Sequence, residues 1–169
     1  MLLHYDGGVA DETDGSPAAS QPPIQLRDAR REDVPAIVAL LADDLLGAGR
    51  EGPLDDAYWA AFDQIAADPR TRLVVADLDG RVVGTLQLTL LPGLSRHGLL
   101  RAQIEAVRVA SDLRGQRLGR RLIEWAIEEA RVQGCGLVQL TSDKRRPDAI
   151  RFYESLGFTA SHEGLKLPL

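Results

Sequence analysis

The chain has 169 residues, 44% hydrophobic and 27% charged, with a formal net charge of −5 at pH 7, which excludes a fibrous or fully disordered protein and fits one globular domain. The acidic excess is local: Asp6, Asp11, Glu12 and Asp14 precede residue 24 without a Lys or Arg among them, leaving 20 positive against 21 negative residues in the rest. A near-neutral body lacks the distributed basic face that nucleic acid requires, so no nucleic-acid partner is expected.

In chain order, residues 1–23 hold Gly7, Gly8, Gly15, Pro17, Pro22 and Pro23 with little hydrophobic periodicity. Such a segment buries too little to offset its ordering entropy and reads as a mobile acidic tail. Residues 24–169 read as a single domain. A first strand is predicted at 24–27. A helix capped by Asp28 or the residues just after it carries Val34, Ile37, Val38, Leu41 and Leu45, has Pro35 in its first turn and ends at Gly47 and Gly49. A second helix at 55–67 sets Tyr58, Trp59, Phe62 and Ile65 on its apolar side and closes at Asp68-Pro69. Strands at 72–78 and 81–91 flank Asp79-Gly80, a strong hairpin signal because both turn positions tolerate positive φ. A loop at 92–98 leads to a strand at 100–109.

The next stretch carries the chemistry. A polar turn at 111–115 opens a helix in which Leu118, Leu122, Ala126, Ile127 and Ala130 recur at helical spacing. First-turn N–H groups lack intrahelical partners, and the helix dipole makes that end partly positive. Gly115 and Gly119 allow close approach to the backbone, while Arg114, Arg117, Arg120 and Arg121 crowd an end where cations are disfavoured unless an anion sits among them. The expected ligand is a polyphosphate or pyrophosphate. Gly134-Cys135-Gly136 then breaks the helix, a strand follows at 137–141, and Ala149, Ile150, Phe152, Tyr153 and Leu156 mark a short helix stopped by Gly157. Segments 158–160 and 165–167 are predicted to form a final hairpin.

Arg114-Gly115-Gln116-Arg117-Leu118-Gly119 resembles the signature Gln/Arg-x-x-Gly-x-Gly/Ala of the GNAT superfamily of acyl-coenzyme A-dependent N-acetyltransferases, with Arg117 in place of the usual Gly. Phe152-Tyr153-Glu154-Ser155-Leu156-Gly157-Phe158 resembles that family's second signature, one strand further on. The resemblance implies an α/β fold of the α+β kind: a mostly antiparallel sheet, a splayed central parallel strand pair and about four flanking helices. It implies acetyl-CoA as cosubstrate, held by Arg114, Gly115, Gln116, Arg117, Leu118, Gly119 and Arg120 at its pyrophosphate. Backbone of Val107, Arg108 and Val109 would meet the pantetheine arm and the thioester. Tyr153 would protonate the departing thiolate, which suits a phenol still protonated at neutral pH. Glu105, a carboxylate interrupting an apolar strand, is the candidate base for the amine or else a binder of its ammonium. Arg146, within Lys144-Arg145-Arg146, either contacts coenzyme A or belongs to an exposed charge run. His97 and Arg101 flank the Glu105 strand, as pocket lining or as surface. The acceptor is expected to be a small-molecule or peptide amine, and family members often form homodimers.

Rival readings are a non-catalytic acyl-CoA-binding regulatory module and a nucleotide site. The second lacks both Gly-x-x-x-x-Gly-Lys-Ser/Thr and Gly-x-Gly-x-x-Gly. Cys135, the single cysteine, has no His nearby in sequence and reads as a small packed residue rather than an acyl carrier. With no disulfide framework, no zinc-type spacing, no membrane-spanning run and no signal-peptide layout, the expectation is a cytoplasmic, metal-free protein without a membrane partner.

Overall fold

The computed structural model describes residues 23–43, 49 and 51–168. The acidic stretch 1–22, and the predicted first-helix positions Leu45 and Gly47, lie outside the described residues. Five strands, β1 (Gln25–Asp28), β2 (Thr71–Leu78), β3 (Arg81–Leu91), β4 (Arg101–Val109) and β5 (Leu137–Leu140), form one sheet in chain order. All neighbours are antiparallel except β4 and β5, which run parallel. The helices are α1 (Val34–Ala42), α2 (Asp56–Ala67), the single distorted turn α3 (Ser95–Gly98), α4 (Leu118–Val132) and α5 (Pro147–Glu154).

The β2–β3 hairpin turns as its sequence requires, with Asp79 at φ 51° and Gly80 at φ 82°. On one sheet face, α4 buries Leu118, Leu122, Ile123, Ala126 and Ala130 against Val74, Leu86, Leu88 and Ile104. Each such side chain contributes about 1.5–3 kcal/mol of apolar burial. Close packing depends on Gly84, where a β-carbon would stand 3.2 Å from Leu122 Cδ1 and 3.1 Å from the Arg108 carbonyl. Arg72 crosses from β2 to α4, with its guanidinium 4.9 Å from the Trp125 ring and 2.9 Å from Glu129.

On the other face, α2 brings Phe62 and Ile65 over Leu73, and α1 lies beside α2. The entry to α1 differs from expectation. Asp28 ends β1 and pairs with Arg72, so it caps nothing. Asp33 opens α1 instead, after a 3-10 turn at Arg31–Asp33. Its buried carboxylate accepts from Arg27 at 2.7 and 3.0 Å and from the Arg30 N–H at 2.7 Å. The Arg27 guanidinium holds that carboxyl below the usual carboxylate range.

Two irregularities in β4 open the sheet at its edge. Thr85 pairs with Arg108 but Gln87 pairs with Glu105, so β4 carries one extra residue, a bulge at Ala106–Val107. Ala106 sits at φ 54°, a left-handed conformation that costs a residue with a side chain about 1–2 kcal/mol. The bulge turns the alternation over: Ala102 and Ile104 face α4 before it, and Val109, which pairs with Gly84, does so after it. The parallel pairing also ends there. Arg101 to Ile104 match Leu137 to Leu140 rung for rung, and β4 then runs on without β5. The strand pair parts, leaving the β4 backbone open from Glu105 to Val109.

The predicted final hairpin does not form, because residues 158–168 contain no strand. Leu165 and Leu167 alternate as a strand would, but they are 95% and 83% exposed, so no apolar contact rewards pairing. Its side-chain contacts include Phe158 against the core, Lys144 with Glu163 and Ser161 with His162. The parallel pair therefore lies at the end of the described sheet rather than in its middle. No helix among the described residues is long and apolar enough to cross a membrane.

Candidate active site

The Arg-Gly turn and the first turn of α4 line one cleft of about 370 Å³ with Val109, Leu113 and Phe152. Of the residues singled out in sequence, Val109, Arg114, Gly115, Arg117, Leu118, Gly119 and Arg120 meet there. Gln116 does not; its side-chain amide turns away to the Asp112 carbonyl at 3.2 Å. Gly119 forms the floor, where a β-carbon would lie 3.7 Å from the Phe152 ring and 3.8 Å from Val109 Cγ2. The first-turn N–H groups of residues 118–120 have no acceptor within the helix.

The four arginines separate into roles that spacing alone did not reveal. Arg114 is a brace: it donates to the Val109 carbonyl at 3.2 Å and to the Asp43 carboxylate at 3.0 Å, tying the turn to the end of α1. Arg121 donates to the Ile24 carbonyl at 2.8 Å, away from the cleft. Arg120 reaches Glu124 at 3.3 Å and Ser155 at 3.4 Å, linking α4 to the end of α5. Arg117, at φ 63° and ψ 6°, occupies the left-handed cap of α4. That conformation accounts for a glycine at this place in the signature, since glycine adopts it without strain. In exchange, Arg117 sets a cation on the cleft wall with no carboxylate partner among the described residues.

Helix α5 starts at Pro147 with Arg146 as its cap and carries Phe152 and Tyr153. The Tyr153 ring packs between Phe152, 5.2 Å away, and Phe158, 6.0 Å away in an edge-on arrangement. Burial raises its phenol above the ordinary value, while the nearby Arg108 and Arg146 cations oppose the rise. Arg108, Arg146 and Tyr153 are thus gathered into one electrostatic neighbourhood. Arg108 also donates to the Val107 carbonyl at 2.9 Å. Val107, Arg108 and Val109 occupy the part of β4 that has lost β5 as a neighbour. Burial raises the Cys135 thiol above its ordinary value.

Glu105 is exposed on the face of β4 opposite α4, across from Gln87. Its neighbours there were not singled out in sequence. Thr89, Gln103 and Gln139 share a rung across three strands. Gln139 donates to Gln103 at 2.7 Å, and Gln87 donates to Thr89 at 3.4 Å. Their signal was a run of polar residues at alternate strand positions, which equally describes a solvated sheet face. Arg101 extends over this row to Gln139. His97, at φ 63° in α3, is exposed in the preceding loop. No group of three or more His, Cys, Asp or Glu side chains among the described residues is placed to hold a metal ion.

The parted strand pair and the helix mouth with its open amides meet at Val109, the end of β4. The acetyltransferase (GNAT) family profile matches residues 24–158, and the chain belongs to that family. It is 35% identical over 144 residues to an aminoalkylphosphonate N-acetyltransferase of Salmonella typhimurium, covering 83% of this chain and 88% of that one. It is 38% identical over 90 residues to a glucosamine 6-phosphate N-acetyltransferase of Trypanosoma brucei brucei, covering 53% of this chain and 59% of the relative. Among solved structures, a transcriptional regulator from Bacillus halodurans C-125 superposes with a TM-score of 0.85 at 49% identity, covering 87% of this chain and 100% of the other.

Proposed function

We propose that the protein transfers an acetyl group from acetyl-CoA to a primary amine by direct attack within a ternary complex. The observation that carries this reading is the shared boundary of two half-sites. The cleft at the mouth of α4 and the opened backbone of β4 meet at Val109, and the Arg108 cation one residue earlier acts on the Tyr153 phenol. In this reading, N–H groups of residues 118–120 and the Arg117 guanidinium take the pyrophosphate, and Gly119 leaves room for it. The freed β4 backbone at Val107 to Val109 receives the pantetheine arm, and one N–H there polarises the thioester oxygen.

Glu105 removes a proton from the incoming ammonium, directly or through water, because only the neutral amine is a nucleophile. The amine nitrogen then bonds to the thioester carbon, the carbon–sulfur bond breaks, and the thiolate takes the Tyr153 proton. The proton shed by the acylated nitrogen restores the phenol. The relatives' named activities on amine-bearing small molecules support a small-molecule acceptor over a peptide one. The similarity to a protein described as a transcriptional regulator favours a second reading, a regulatory module that binds acyl-CoA without turnover. Retention of both Glu105 and Tyr153 argues for catalysis.

The test is thiol release from acetyl-CoA across a panel of primary amines. Turnover with at least one amine is expected; calorimetric binding of acetyl-CoA without turnover on any would establish the regulatory reading instead.

A further inference from the structure

On the sheet face that carries Glu105, the rung two residues earlier joins Gln103 to Gln139 through a 2.7 Å hydrogen bond. Arg101 begins one rung further back, but it does not stay there. Its Nη1 lies 3.5 Å from Gln139 Oε1, so the guanidinium meets the hydrogen-bonded Gln103–Gln139 pair. Its Nη2 passes 3.9 Å from where a β-carbon on Gly93 would stand, under the loop that follows β3. Arg27, Arg72, Arg81, Arg114, Arg120 and Arg131 each meet a carboxylate at 2.7 to 3.3 Å. Arg101 has no carboxylate partner among the described residues, although it is half-buried. A half-buried cation with only a long contact to a neutral amide retains its bidentate donor face for a ligand.

Two residues along a strand span about 7 Å. A cation that meets one rung and a carboxylate two residues beyond that rung therefore share one face of β4, with the carboxylate where the pairing with β5 ends. From this juxtaposition we infer that the acceptor is a zwitterion-sized molecule whose primary amine goes to Glu105 and whose compact oxyanion is bound by Arg101, with the Gln103–Gln139 pair supporting the guanidinium. Phosphonate, phosphate and carboxylate share this chemistry. The alternation of a positive and a negative group along one strand also disfavours diamines, whose second cation would meet Arg101. The inference rests on the acetyl-transfer reading for the role of Glu105, but the anion subsite is testable apart from turnover.

The experiment compares 2-aminoethylphosphonate, 3-aminopropanoate, ethanolamine and 1,4-diaminobutane as acceptors for wild type, Arg101→Gln, Arg101→Lys and Gln139→Ala. The readout is the ratio of kcat/KM for each anionic amine to that for ethanolamine. In wild type the ratio is expected to be about tenfold or more for at least one anionic amine, the size of a charge-assisted bidentate contact. Arg101→Gln should bring it to near unity, Arg101→Lys should keep part of it, and Gln139→Ala should lower it less. A phosphonate preferred over a carboxylate assigns the tetrahedral anion, and the reverse assigns the planar one. A wild-type ratio near or below unity, a preference for the diamine, or a ratio that survives Arg101→Gln would overturn the inference. If no amine is acetylated, the acetyl-transfer reading fails, and calorimetry with acetyl-CoA present decides the subsite. Tenfold weaker 2-aminoethylphosphonate or 3-aminopropanoate binding in Arg101→Gln supports it, and equal binding or none in wild type overturns it.

Discussion

Gly119 and Phe152 face each other across the mouth of α4, close enough that a β-carbon at 119 would touch the Phe152 ring at 3.7 Å. A single methyl fits at ordinary contact distance, whereas a branched side chain fills the cleft floor. Gly119→Ala should fold and retain most acetyl-CoA affinity. Gly119→Val should weaken it by about tenfold or more, roughly the 1.4 kcal/mol that one lost phosphate contact represents. Calorimetric titration with acetyl-CoA checks both.

Tyr153→Phe removes the phenol and keeps the ring contacts with Phe152 and Phe158. The melting temperature should hardly change, while kcat should fall by about 10²-fold, the usual worth of a general acid. Burial raises the phenol, so the wild-type acid stays protonated through the ordinary tyrosine value near pH 10. Any alkaline loss of kcat attributable to this group must therefore begin above that value. The same burial stabilises the fold fully below the unfolded value and is lost as pH rises through the higher folded one. Steady-state kinetics and thermal melts from pH 6 to about 10.5 give both readouts.

Glu105→Gln preserves shape and removes the charge. A base role predicts a kcat/KM reduced by about 10²-fold or more at pH 7 and partly recovered at alkaline pH, where free amine becomes available without help. A role confined to ammonium binding predicts a raised KM with little recovery. A pH series on the variant separates the two.

Asp33→Asn leaves Arg27 without its strongest partner near the buried start of α1. Unfolding free energy should drop by about 2–3 kcal/mol at neutral pH, as for a broken, partly buried ion pair. The carboxyl is depressed in the folded state, so its contribution is present above the unfolded value near 4 and is lost as pH falls through the folded one. The stability gap between wild type and variant should accordingly narrow in acid, as measured by urea melts at pH 7 and about pH 3.

Much of this arrangement is local and was legible. The Leu118, Leu122, Ala126, Ala130 stripe announces α4, and Asp79-Gly80 announces its hairpin. In β4 the apolar residues Ile104 and Ala106 follow one alternation and Val107 and Val109 the other, and the bulge at Ala106–Val107 accounts for the change. Other features depend on partners far along the chain. Arg114 lines the cleft, but its bond to Asp43, 71 residues away, has no trace in the local sequence. The Arg101–Gln139 contact joins residues on different strands and leaves no local trace. Leu165 and Leu167 mislead in the opposite way, since alternation cannot report the absence of anything to pack against.

The central claim is that one cleft at the mouth of α4 and one opened stretch of β4 together hold a single cofactor. A crystal structure with acetyl-CoA tests it directly. The expected result is pyrophosphate oxygens within hydrogen-bond distance of the N–H groups of residues 118–120, and the thioester sulfur within reach of the Tyr153 hydroxyl. Acetyl-CoA bound elsewhere, or bound at α4 with its thioester remote from Tyr153, would contradict the account.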